Sequence, residues 1–186
     1  MYTLRHGFIH TSAVFLLLTS SVHAADFDKK IEDALKLGDG GAIKLDVNYR
    51  WENVDQDLGK ATAPYPKTAN ANTVRTRLGV LSPKFYGFQG FVEYEGTHAL
   101  QSDYHNNRPD EVSGFSRIAD PAYNELNQLW ISYTNFDTVI KGGRQRIKFD
   151  DDRFIGNVGW RQLETTFDAV LVTNTSLKNL TVNAGY

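Results

Sequence analysis

Apolar and polar side chains alternate along most of this chain, in stretches about as long as β-strands. The clearest stretch covers residues 42–52, and its apolar face carries Ile43, Leu45, Val47, Tyr49 and Trp51. Its other face carries Lys44, Asp46, Asn48, Arg50 and Glu52. Because successive side chains of an extended strand point to opposite faces, this pattern predicts an amphipathic β-strand.

Six more stretches can be interpreted in the same way: 72–81, 88–99, 125–134, 138–147, 165–173 and 180–186. The connections between the seven stretches alternate between long and short. A soluble sheet can also present one apolar and one polar face. Regular alternation of connection length, however, is typical of membrane barrels, which have tight turns at one end and long loops at the other. The sequence predicts an all-β fold, a transmembrane antiparallel up-and-down β-barrel.

The chain divides into three predicted segments. Residues 1–24 have a basic start, an apolar centre and small residues before position 24, which is typical of a cleaved signal peptide. Residues 25–41 form a periplasmic leader or short helix, with helical spacing over Asp26–Leu37, and residues 42–186 form the barrel. The mean hydropathy of -0.41 fits a barrel, because only alternate strand residues meet lipid.

Composition points away from several functional classes. With 20 Lys and Arg against 22 Asp and Glu, the chain is nearly neutral, and no nucleic-acid partner is expected. There is no Cys, and only His98 and His105 lie outside the signal, so we expect no metal site and no other cofactor. The acidic run at 150–152 fits a solvated loop better than a calcium loop. No Ser stands beside a His as in a catalytic triad, so we do not expect an enzyme.

Charged side chains recur on the polar faces of the predicted strands. If the apolar faces meet lipid, these side chains line the lumen: Lys44, Arg50, Arg75, Arg77, Glu93, Glu95, Arg144 and Arg146. Arg153 and Arg161 join them if the loop over residues 148–164 folds inward. The guanidinium groups could attract anionic solutes. Equally, the opposite charges could form a self-neutralising ladder that only braces the wall.

Several segments resemble the alginate-export family of outer-membrane porins. The most specific block runs from Gly143 to Gln162 and includes Gly-Arg-Gln-Arg-Ile and Phe-Ile-Gly-Asn-Val-Gly-Trp-Arg-Gln. Residues 72–79 resemble the second strand of the family, 85–88 its first periplasmic turn, and 119–128 the approach to its fourth strand. The resemblance covers essentially the whole chain after the signal.

The resemblance implies a monomeric, roughly 18-stranded barrel that passes anionic polysaccharide or small anionic solutes. It also implies pore-lining roles for Arg75, Arg77, Arg144 and Arg146. The partners expected are outer-membrane lipid, the anionic solute or polysaccharide and the barrel-assembly machinery. The expected location is the cell outer membrane.

Seven strands are fewer than such a barrel needs, so we expect this chain to be the N-terminal part of a longer barrel. We do not expect residues 1–186 alone to form a conducting pore, because an open sheet leaves backbone groups unpaired in lipid. The alternative is a soluble periplasmic β-sheet binding module, in which the apolar faces would form one core.

Overall fold

A computed structural model describes residues 32–55, 67–105, 114–149 and 153–186. These residues form one antiparallel sheet of eight strands, each paired with its neighbours in chain order. The strands are β1 (Lys36–Leu37), β2 (Gly41–Val54), β3 (Ala69–Leu81), β4 (Phe88–Asp103), β5 (Tyr123–Asn135), β6 (Thr138–Gln145), β7 (Phe167–Asn174) and β8 (Val182–Gly185). The alternation therefore predicted the all-β class and the up-and-down order correctly.

The seven predicted strands correspond to β2–β8, and β1 is an addition. The predicted signal and residues 26–31 of the predicted helix lie outside the described residues. Residues 32–34 form a helical turn, but Lys36 and Leu37 pair with Ala42 and Gly41. The helix does not extend to Leu37 as predicted, because Gly38 and Gly40, with φ of 63° and 70°, reverse the chain onto β2.

Tight connections gather at one end of the sheet. Between β5 and β6 only Phe136 and Asp137 intervene, and both have positive φ, 45° and 55°. Two positive φ values are characteristic of the type I′ turn, whose twist matches that of the flanking strands. The connections from β3 to β4 and from β7 to β8 lie at the same end, so the three long connections lie at the other.

One face of the sheet is apolar and exposed. Directly paired residues share a face, and the register joins Ile43 to Val80, Val80 to Val92, and Val92 to Leu129. Leu45, Val47, Leu78 and Ile131 are exposed on this same face. β2–β5 contain 14, 13, 16 and 13 residues, more than the roughly 9–11 that cross a bilayer.

The soluble alternative required these apolar side chains to pack into one core. The apolar cluster that is buried in the described parts of the chain is small and lies elsewhere, at the loop end: Ala69, Ala71, Tyr104 and Ile118. No helix among the described residues is long and apolar enough to cross a membrane.

Candidate functional site

The opposite face of the sheet is polar and is partly covered by two loop segments. Residues 115–120 precede β5, and residues 157–164, here called the inner segment, precede β7. The register places Arg77 opposite both Asp46 and Glu95, and places Glu93 opposite Gln128. Lys44, Arg50, Arg75, Arg77, Glu93 and Glu95 therefore share this face, as expected from the alternation.

Five charged side chains form the mid-wall cluster: Arg77, Glu93, Glu95, Arg146 and Glu164. Arg77 Nε donates to Glu95, and its Nη2 lies 3.3 Å from Glu164 Oε2. Arg146 Nη2 donates to Glu93 Oε1 at 2.6 Å, while its Nε donates to Glu164. Glu164 thus stands between two guanidinium groups that come from different hairpins.

A β-bulge adds amide donors to this cluster. The register between β4 and β5 shifts at Glu93 and Tyr94, so that Asn127 is an extra residue on β5. Both Asn127 and Gln128 are buried as a result. Asn127 Nδ2 donates to Glu93 Oε1 at 2.9 Å and to Glu164 Oε1 at 2.7 Å, and Gln128 Nε2 donates to Glu93 Oε1 at 3.0 Å.

Nearer the long loops lies a second group, the loop-end cluster: Arg50, Glu52, Asp120 and Arg161. Arg50 Nη2 donates to Glu52 Oε2 at 2.5 Å, and Arg50 Nε lies 3.1 Å from Asp120 Oδ2. Arg161 Nη1 donates to the same Glu52 oxygen at 3.1 Å and lies 3.5 Å from Asp120. Two bases therefore share two acids.

Arg75 and Gln162 attach the inner segment between the two clusters. Arg75 Nη2 donates to Asp46 Oδ1 at 2.7 Å, and its Nη1 donates to the Gln162 carbonyl at 3.4 Å. Gln162 Nε2 donates to Thr73 Oγ1 at 2.8 Å, and the backbone N–H of Gln162 donates to Asp120 Oδ1 at 3.2 Å. Arg161 is thus brought to the polar face, as expected if its loop folds inward.

Arg144 does not join these clusters. It is paired with Leu129 and Asp168 in the register, and its guanidinium donates to Asp168 at 2.9 and 2.8 Å. Leu129 belongs to the apolar face, so the expectation that Arg144 and Arg146 share one face is wrong. β6 ends at Gln145, and Arg146 lies beyond the strand, where strict alternation no longer holds.

The correct parity of β6 brings another cation to the polar face. Lys141 pairs with Ser132, and its Nζ lies 4.8 Å from the centroid of the Trp130 ring. Lys44, on the same face, has its Nζ 5.5 Å from the centroid of Phe91. Alternation counted from Arg144 places Lys141 on the apolar face, so the sequence pattern does not predict it here.

Some functional residues could not be found from alternation. Asp120, Gln162 and Glu164 lie in loops, where strand parity gives no direction, and Asn127 depends on the bulge. Among these, Asp120, Asn127 and Gln162 do fall within segments that carry the family resemblance. Arg153 is exposed at the start of the last described stretch, and its inward role stays a prediction.

Burial makes the accessible layer of the mid-wall cluster basic. Its carboxylates are 6%, 0% and 1% exposed for Glu93, Glu95 and Glu164, whereas the side chains of Arg77 and Arg146 are 11% and 31% exposed. Elsewhere on the polar face the acid can be the more exposed partner, as Asp46 is at 55% and Glu52 at 16%. In the mid-wall cluster, solvent therefore meets guanidinium groups more than the acids beneath them.

A pocket of about 430 Å³ lies along β2 beside the polar face. Its charged lining residues are Lys44, Asp46, Arg77, Glu93 and Arg146, and its apolar ones are Leu35, Ile43 and Leu45. Within the described stretches, no group of three His, Asp or Glu side chains is placed to hold a metal ion. The arrangement can hold anions by charge and hydrogen bonding, since guanidinium and ammonium groups pair with carboxylates.

Comparison with known proteins identifies the family. The model of the alginate export family matches residues 43–179, which is more than half of the chain. No curated protein and no solved structure matches the chain. The match spans β2–β7 and both charged clusters, in an all-β sheet with one exposed apolar face. The chain belongs to the alginate export family of outer-membrane porins.

Proposed function

We propose that this porin passes anionic polysaccharide or small anionic solutes by diffusion, along a lumen lined by the basic side chains of the polar face. The chain would be exported through a cleaved signal peptide and inserted as a monomer by the barrel-assembly machinery. The residues proposed to line the path are Lys44, Arg50, Arg75, Arg77, Glu93, Glu95, Arg146, Arg153 and Arg161. Arg144 is left out because it lies on the apolar face.

The observation that carries the proposal is the difference in burial between the acids and the bases of the mid-wall cluster. In the mid-wall cluster, Glu95 and Glu164 lie beneath Arg77 and Arg146, so the wall is braced by ion pairs while its accessible layer stays basic. The same charged residues could then both brace the wall and attract anionic solutes. A basic layer on a low-dielectric wall raises the local concentration of anions.

The matched pair Arg146→Gln and Arg144→Gln tests this proposal in the full-length protein. Each variant loses one guanidinium group, and the two residues are only two positions apart in the chain. Arg146 lies in the mid-wall cluster, however, and Arg144 lies on the apolar face. In planar-bilayer recordings under a salt gradient, we expect the wild type and Arg144→Gln to prefer anions. Arg146→Gln should shift the reversal potential towards cations. Equal reversal potentials for all three proteins would mean that these charges only stabilise the barrel wall and do not select anions.

The soluble binding module is not supported as a second function. It needs the apolar faces of the strands to be buried, and Leu45, Val47, Leu129 and Ile131 are exposed. Family membership likewise points to a transport channel and not to an enzyme.

A further inference from the structure

Trp130 breaks the alternation of its strand. Its neighbours Leu129 and Ile131 lie on the apolar face, so the large indole ring of Trp130 lies on the polar face. The ring packs against Phe91 with centroids 5.5 Å apart and ring planes inclined by 41°. Leu81, opposite Phe91, and Leu171, opposite Lys141, also lie on this face. The aromatic pair lies on the face that carries the charged clusters, so lipid contact does not explain it.

Two lysines flank this aromatic pair. Lys141 Nζ lies 4.8 Å from the Trp130 centroid and Lys44 Nζ lies 5.5 Å from the Phe91 centroid. Within the described part of the chain, neither ammonium group forms an ion pair with a carboxylate. This differs from Arg50, Arg75, Arg77, Arg146 and Arg161, each of which is paired.

The backbone beneath the pair leaves room for the Phe91 ring. A Cβ atom on Gly79 would lie 2.7 Å from the Phe91 ring, so the ring occupies the space that a side chain would need. Phe91 is buried there, while Trp130 is only partly buried. Trp130 is thus the member of the pair that a solute in the lumen can reach.

We propose that Trp130 and Lys141, with Phe91 and Lys44 beside them, form a stacking subsite for an anionic sugar unit. This inference rests on the proposed function and names the chemical class of its solute. The C–H face of a pyranose ring would stack on the indole, which is amphipathic and rigid. The carboxylate of the same sugar would accept a hydrogen bond from Lys141 Nζ.

Lys141 can serve both the free and the occupied site. Its ammonium group lies over the indole as a cation–π contact. The flexible four-carbon stem allows that group to turn from the ring to a carboxylate. A charge-assisted hydrogen bond then replaces the cation–π contact, and the ring face becomes free for the sugar.

The test uses the full-length protein in planar bilayers, with current blocking by two probes. One probe is a short oligomer of galacturonic acid, and the other is a maltodextrin of the same length. Lys141→Gln should weaken blocking by the galacturonate about tenfold, the scale of one charge-assisted hydrogen bond, and leave blocking by the maltodextrin unchanged. Trp130→Leu should weaken blocking by both probes.

Conservative variants keep the test decisive. Trp130→Phe and Lys141→Arg should retain most of the blocking by the galacturonate, and Ser132→Ala, on the same face next to both residues, should match the wild type. Should Trp130→Leu fail to assemble, Lys141→Gln and Lys141→Arg carry the comparison. Blocking by the galacturonate that stays at the wild-type level in Lys141→Gln, or in an assembled Trp130→Leu, would overturn the subsite but not the channel. A wild type that prefers anions but is blocked by neither probe would also overturn the subsite alone. A wild type that shows neither an anion preference nor blocking would overturn the proposed function as well.

Discussion

At the scale of single residues, Glu164 connects the most parts of the structure. Its side chain is 1% exposed and accepts hydrogen bonds from Arg146, Asn127 and Asn157, with Arg77 Nη2 3.3 Å away. These partners come from β3, β5, the end of β6 and the inner segment. One buried carboxylate therefore holds a loop against three strands.

Replacing Glu164 by Gln should lower the free energy of unfolding by about 1.5–3 kcal/mol, because hydrogen bonds to a charged group are lost in a buried site. The matched control is Asp168→Asn, which removes a carboxylate paired with Arg144 on the exposed face, with side chains 42% and 69% exposed. Exposed pairs contribute about 1 kcal/mol or less. Denaturant unfolding of the full-length protein in detergent, followed by Trp fluorescence, measures both. Equal losses for the two variants would contradict the bracing role of Glu164.

At the scale of elements, β6 shows how the backbone decides which face a side chain takes. Gly143 lies inside this strand with φ of 122°, opposite Trp130. The strand ends two residues later, and Arg146 turns towards Glu93 and Glu164. The bulge at Asn127 has a comparable effect in β5, where two consecutive residues become buried. Both irregularities lie next to the mid-wall cluster.

Gly143→Ala should impair folding strongly, whereas Gly142→Ala should be tolerated. A Cβ on Gly143 would lie 2.3 Å from the Leu129 carbonyl oxygen, while a Cβ on Gly142 would meet only Val170 Cγ2, at 3.8 Å. The left-handed φ alone costs on the order of 1–3 kcal/mol for a residue with a side chain. The fraction of full-length protein that migrates as folded barrel on unheated SDS gels reports the difference. The interpretation of β6 fails if both variants fold equally well.

At the scale of the whole molecule, strands β2–β5 separate an apolar face from a charged face, whereas beyond them Arg144 and Asp168 lie on the apolar face and Leu171 on the polar face. The apolar row from Ile43 through Val80 and Val92 to Leu129 is continuous. Behind it, the two charged clusters and the inner segment cover the polar face. An outer-membrane porin needs this separation, since one face meets lipid and the other meets water.

The preference for anions should weaken as salt concentration rises. The basic layer acts at a distance, and the Debye length falls from about 10 Å at 0.1 M to about 3 Å at 1 M salt. Reversal potentials of the full-length protein, measured at one fixed concentration ratio but at low and high mean salt, should therefore converge towards zero. An anion preference of the same size at both concentrations would point to selection by size or by a tight binding site instead.

The sequence by itself determined strands β2–β8, their order and the two faces of β2–β5, because alternation with period two is a local property of extended chain. It also predicted that Arg50, Arg77, Glu93 and Glu95 share one face, and the motifs between Gly143 and Gln162 indicated the family. Only the tertiary structure decided what lies against that face. Asp120, Gln162 and Glu164 reach it from loops, Asn127 reaches it through a bulge, and Arg144 leaves it. Loop paths and bulges depend on contacts between residues far apart in the chain, which strand periodicity does not encode.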